Sequence, residues 1–112
     1  ICALALGHLP TLGPALREIN RVLRPGGSAL LSDFHPFVFL SGGQRTFIAP
    51  DGMTYAVEHY PHLYADYHQA AQVSGLHITG VREAVLPAAE AARLDHPGMP
   101  VVLVLRLEKS GA

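Results

Sequence analysis

The segment Ser32-Asp33-Phe34-His35-Pro36 ends an apolar run with a carboxylate and an imidazole two residues apart. Imidazole titrates near about 6.5 in water, so a histidine at such a place can move a proton near neutrality. His35 is the candidate general base or substrate-orienting group. An equally good reading has it hydrogen-bonding the backbone in the turn before Pro36. Asp33 could serve the same site, but capping the adjoining turn is the favoured role. His59, His62 and His68, with Glu58 and Asp66 nearby, raise a metal reading. His59-x-x-His62 falls short of the four well-spaced ligands of a structural zinc site, and the chain has a single cysteine. A solvated surface is favoured, with His62 and Asp66 pairing at i, i+4 on a helix, and no metal is expected. Tyr55, Tyr60 and Tyr64 are candidates to line a substrate pocket, each with an apolar body and a polar tip, while Tyr67 reads as core.

The elements that must position these groups follow from periodicity. Ile1 to Leu6 reads as the end of a buried strand. Thr11 is a candidate N-cap, and Pro14 falls in the first turn of the next helix, where its missing N–H does no harm. Leu12, Ala15, Leu16, Ile19, Val22 and Leu23 recur at helical spacing and form one apolar face. Arg17, Arg21 and Arg24 belong to the wet side. Pro25 and Gly26-Gly27 stop the helix. Ser28 to Phe34 is apolar on both faces, the pattern of an interior strand in a parallel α/β sheet covered by helices on both sides. In open α/β folds ligands bind beyond the carboxyl ends of such strands, which here means Asp33 to Pro36. A hairpin is expected from Arg45 to Ile48 and Thr54 to Val57 across Pro50-Asp51-Gly52. A second helix runs from about His62 to Ser74, with Leu63, Tyr67, Ala70, Ala71 and Ser74 inward and Gly75 as its stop. His77 to Val85 and Val101 to Leu107 are strands, joined through an Ala-rich helical turn at Ala88 to Leu94. Lacking a full crossover helix, these last two strands should pair antiparallel.

The totals bound the function. One domain at most fits in 112 residues. Almost half the residues (49%) are hydrophobic and 15% are charged, enough to build a core. A formal charge of -1 offers no basic field for nucleic acid. No apolar run is long enough to span a bilayer, so no membrane partner is expected. The lone Cys2 excludes an internal disulfide and suits the cytoplasm, the expected location. The chain has no initiator Met and opens inside an apolar run, which reads as truncation.

Arg21-Val22-Leu23-Arg24-Pro25-Gly26-Gly27 followed by the apolar strand Ser28 to Asp33 forms a fairly specific phrase. With the strand Ile1 to Leu6, the loop His8-Leu9, and Gly75-Leu76 before a strand reaching Glu83, it resembles the C-terminal half of a class I S-adenosylmethionine-dependent methyltransferase of the small-molecule branch. The resemblance weakens between Phe37 and Tyr60. It implies an α/β fold, a partial Rossmann-like sheet made of the family's fourth to seventh strands, with the last two antiparallel. The whole chain would be one partial domain, without the N-terminal half that cradles the methionine and ribose of the cofactor.

The resemblance further implies S-adenosylmethionine as cofactor, with Cys2, Ala3, Leu4, Ala5 and His8 lining it, largely through backbone atoms. The partner would be a small-molecule methyl acceptor. Activity would belong to the intact parent and not to this fragment alone. The competing reading is a non-catalytic interaction or structural module derived from the same fold. A hydrolase or reductase is disfavoured, since neither a Gly-x-Ser-x-Gly elbow nor a dinucleotide fingerprint is present. In the family's sheet the fourth strand lies between the first and the fifth. Ile1 to Leu6 would therefore be an unpaired apolar edge, and self-association through it is expected.

Overall fold

The Arg-Pro-Gly-Gly phrase does the work expected of it: Gly27 N–H closes a turn on the Arg24 carbonyl at 2.7 Å, between a helix and a strand. A computed structural model describes this and the rest of residues 1–3, 5–40, 45–85, 87 and 98–111. Strand β1 is Cys2–Ala3, followed by a 3₁₀ turn, Leu6–His8. Helix α1 is Gly13–Val22 and strand β2 is Ser28–Phe34. A short helix α2, Pro36–Leu40, precedes the hairpin of β3 (Arg45–Ile48) and β4 (Thr54–Val57). Helix α3 is Tyr64–Val73, and strands β5 and β6 are Leu76–Ala84 and Val102–Lys109.

Strands β1, β2, β6 and β5 lie side by side in that order, and β3 and β4 form a separate two-stranded sheet. β1 runs parallel to β2, whereas β6 runs antiparallel to both β2 and β5. β2 is thus interior, as its composition implies, but only one of its neighbours is parallel. The pairing centres on β6. Leu103 faces Asp33 and Glu83, Leu105 faces Leu31 and Val81, and Leu107 faces Ala29 and Ile78.

One face of the sheet is covered. Leu31, Leu76, Leu103, Leu105 and Leu107 pack with Leu12 and Leu16 of the α1 region and with Tyr67 and Ala71 of α3. Four leucines, at 16, 76, 105 and 107, are fully buried, and truncating any of them to alanine removes about 2–5 kcal/mol. The other face is open: Leu30, opposite Arg106, is 46% exposed. The expectation of helices on both faces does not hold among the described residues, since α1 and α3 both cover the same side.

Other local expectations are corrected. The N-cap of α1 is Leu12 and no side chain caps it, so Thr11 does not play that part. Val22 is exposed at the helix end, as is Leu63 before α3. The first strand is shorter than Ile1 to Leu6, because Leu6 turns into the core. Leu4 and the Ala-rich turn at Ala88 to Leu94 lie outside the described residues. The antiparallel pairing of the last two strands is as expected, with a register shift between Ile78 and Gly80. Lys109, at the end of β6, donates to the carbonyls of Asn20 (2.8 Å) and Leu23 (3.0 Å), satisfying the C-terminus of α1.

Candidate functional site

β1 and β2 end at the same edge of the sheet because they are parallel, and β5 ends there too because β6 reverses twice. Three segments therefore meet at one rim: the turn after β1, the Asp33–Pro36 segment, and Glu83 near the end of β5. The backbone ladder continues across this rim. His35 N–H donates to the Val101 carbonyl at 2.9 Å, and Val101 N–H to the Ala84 carbonyl at 2.8 Å.

Asp33 is buried, and its carboxylate is used by backbone. Oδ2 accepts from Gly7 N–H at 2.5 Å, and Oδ1 accepts from Phe34 N–H at 2.7 Å. It caps a turn, as favoured, but the turn after β1 and not the one beside it in sequence. Gly7 is closely surrounded. Its carbonyl accepts Tyr60 N–H at 2.7 Å, and a β-carbon on it would overlap the His59 ring. The His59 ring in turn stacks on Phe39, centroids 3.6 Å apart. Only glycine lets the ring lie on the backbone here.

His35 is 4% exposed and both ring nitrogens are engaged. Nδ1 accepts from Phe37 N–H at 3.2 Å, and Nε2 lies 2.5 Å from Glu83 Oε2. An acceptor Nδ1 leaves the proton on Nε2, which donates it to the carboxylate. The Phe37 ring packs on the imidazole at 4.4 Å. The buried histidine thus holds a carboxylate whose side chain is itself 52% exposed. The sequence shows Glu83 only as the end of a strand. Its pairing with His35, 48 positions away, depends on β6 lying between their strands.

Other predicted site residues are dispersed. Cys2 is partly buried, while Ala3, Ala5 and His8 are exposed along the first segment. Tyr55 donates to Asp51 at 2.7 Å on the hairpin, which raises the tyrosine's pKa, while the Met53 amide first and Tyr55 second lower that of Asp51. Tyr60 donates to Glu58 at 2.7 Å, which raises its pKa. Tyr64 tilts against His68. Among the described residues each of these tyrosines borders a different concavity. Tyr67 is core. Burial pushes its hydroxyl's pKa far up, and the charges of Asp33, Cys2 and Asp66 add to this.

His62 is not a solvated surface histidine. It is buried, and its Nε2 lies 2.8 Å from the Leu9 carbonyl. Nor does it pair with Asp66, whose carboxylate accepts Leu63 N–H at 2.8 Å at the start of α3. Among the described residues no cluster of His, Cys, Asp or Glu could hold a metal ion, and no helix is long and apolar enough to cross a membrane.

The chain superposes on an S-adenosylmethionine-dependent methyltransferase from Mesorhizobium loti with a TM-score of 0.68 and 18% identity. A Listeria monocytogenes structure assigned to the same class gives 0.71 and 20%. This is a partial methyltransferase fold. Both superpositions cover 96% of this chain and 59% of the other. A third such methyltransferase, from Methanosarcina mazei, gives 0.64 and 16%, over 96% of this chain and 57% of its own. No family model matches the sequence. The methyltransferase fold explains the mixed sheet: a parallel pair at one side, and an antiparallel strand inserted before the last one.

Proposed function

We propose that this chain forms the acceptor-side half of an S-adenosylmethionine-dependent methyltransferase acting on a small molecule, with residues 1–112 as one partial domain. The observation that supports this best is the strand order β1-β2-β6-β5 with its directions, which superposes on methyltransferases over nearly the whole chain.

The residues of β1 and the turn after it fit one wall of a site for this cofactor. Ala3, Ala5 and His8 are exposed, and the two alanines carry short side chains. We assign Cys2, Ala3, Ala5 and His8 to that wall, which Asp33 ties to β2 through the Gly7 amide, and Leu4, outside the described residues, joins them by its place in the sequence alone. When bound, the cofactor supplies a methyl carbon activated by its sulfonium. The protein's main task is then to align donor and acceptor, worth about 7–11 kcal/mol in well-oriented systems.

His35 acts as a positioning residue. It donates its Nε2 proton to Glu83 and fixes that carboxylate at the rim. The half-exposed carboxylate can then take a proton from an acceptor hydroxyl or amine. Calorimetric titration of S-adenosylhomocysteine into the longest polypeptide the gene encodes checks the reading. Saturable binding is expected, and a folded protein that takes up none would overturn it.

A further inference from the structure

His35 brings two unlike groups together at the rim. Its Nε2 holds the Glu83 carboxylate at 2.5 Å, and the Phe37 ring packs on the same imidazole with centroids 4.4 Å apart. Both groups stay half-exposed, while the imidazole that they flank is buried. The Phe37 amide holds that ring in its neutral Nε2–H tautomer. The pair therefore keeps the carboxylate's negative charge, and the hydrogen bond fixes where that charge sits.

Nothing nearby cancels it. Asp33 and Glu83 lie on either side of Leu103 in one row across β2, β6 and β5. No lysine or arginine pairs with either carboxylate among the described residues. Arg82 and Arg106 belong to the other face of the sheet, because successive strand residues alternate, and Arg106 bonds Glu108. Lys109 is taken up by α1 at the opposite end of β6. A fixed carboxylate beside an aromatic ring, with no cation of the protein's own, has the chemistry that recognises an ammonium group. The carboxylate offers a charge-assisted hydrogen bond and the ring a cation–π contact. An alcohol brings no charge to either group, and an anion is repelled.

We propose that the methyl acceptor of this site is a small amine, bound in its ammonium form between Glu83 and Phe37. The acceptor role rests on the methyltransferase reading, whereas the binding of the ammonium does not. The nitrogen must lose one proton before its electron pair is free to accept a methyl group. The N–H bond breaks, the pair stays on nitrogen, and the proton passes to the Glu83 oxygen that already holds it.

Titration of propylamine, which is an ammonium ion at neutral pH, into the ¹⁵N-labelled form of the longest polypeptide the gene encodes tests this. Propan-1-ol and propanoate serve as the neutral and anionic counterparts. Saturating shifts are expected at the Phe37 and Glu83 amides with the amine and with neither counterpart. Glu83→Gln keeps an oxygen for the His35 proton and removes only the charge, so the fold is retained, which the amide spectrum checks. Binding to that variant should weaken about tenfold, as expected for losing a charge-assisted hydrogen bond. Phe37→Leu should weaken it about threefold. The proposal is overturned by the absence of saturable shifts, by equal binding of propan-1-ol, or by undiminished binding to Glu83→Gln. S-adenosylhomocysteine bound without propylamine overturns the amine and leaves the methyltransferase reading standing. Propylamine bound without S-adenosylhomocysteine overturns the acceptor role and leaves an ammonium site.

Discussion

Neither His35 nor Asp33 acts on its own. Asp33 spends both carboxylate oxygens on backbone amides, and His35 spends both nitrogens on Phe37 and Glu83. Long-range ¹H–¹⁵N correlation should therefore find His35 as the Nε2–H tautomer. A signal from Nδ1–H would refute the arrangement. Replacing His35 with phenylalanine strands the Phe37 amide and the Glu83 carboxylate, at a cost of about 1–3 kcal/mol measurable by urea unfolding. Tyr67 carries a pH prediction. Its hydroxyl holds its proton well above the unfolded value of about 10, because ionising it in the core is unfavourable. The folded state then binds more protons than the unfolded one in alkaline solution, and stability falls as pH rises. The contribution is complete below about pH 10 and is lost progressively above it. Tyr67→Phe should flatten that decline. An unchanged alkaline slope in the variant would assign the loss to other groups.

Two junctions decide how the elements dock. Gly75 ends α3 with φ of +81°, a conformation that costs an L side chain about 1–2 kcal/mol. Gly75→Ala should lower the unfolding free energy by that amount, read as a lower urea midpoint with the slope unchanged, and full stability in the variant would show that the turn relaxes cheaply. Lys109 ties the end of β6 to the end of α1 through two carbonyls. Lys109→Met keeps the stem and removes the donors, so about 1 kcal/mol should be lost. Hydrogen exchange should then rise at the C-terminal amides of α1 before it rises elsewhere. The hairpin was readable from Pro50-Asp51-Gly52, and its strands match the expected residues, because turn chemistry is local. The missed cap of α1 has a local cause as well: the helix begins one residue late, so Leu12 and not Thr11 occupies the capping position.

At the scale of the molecule, the sheet carries an uncovered face and an uncovered edge. Leu30 stands half-exposed on the face, and Ile1 is fully exposed beside β1. The edge is shorter than a strand from Ile1 to Leu6 would present, since β1 is two residues long and Leu6 is buried. Apolar surface of this kind favours association. Sedimentation velocity should show the weight-average mass rising with concentration, and Leu30→Lys should suppress the rise. A monomer at every concentration would place the association elsewhere or dispense with it.

By itself the sequence determined most of the elements and their order, though not α2, because periodicity and turn residues are short-range signals, and the resemblance carried by the Arg-Val-Leu-Arg-Pro-Gly-Gly phrase implied the partial methyltransferase fold. It also showed that Ser28 to Phe34 would be interior. What only the tertiary structure decided was which distant groups meet. His35 finds Glu83, Asp33 finds Gly7, and His62 finds the Leu9 carbonyl, each across a gap in sequence that no local pattern spans. The reason is register. Once β6 pairs with β2 and β5, Leu103 sets Asp33 and Glu83 on one row, and the side chains at that rim acquire partners that their own neighbours in sequence never specify.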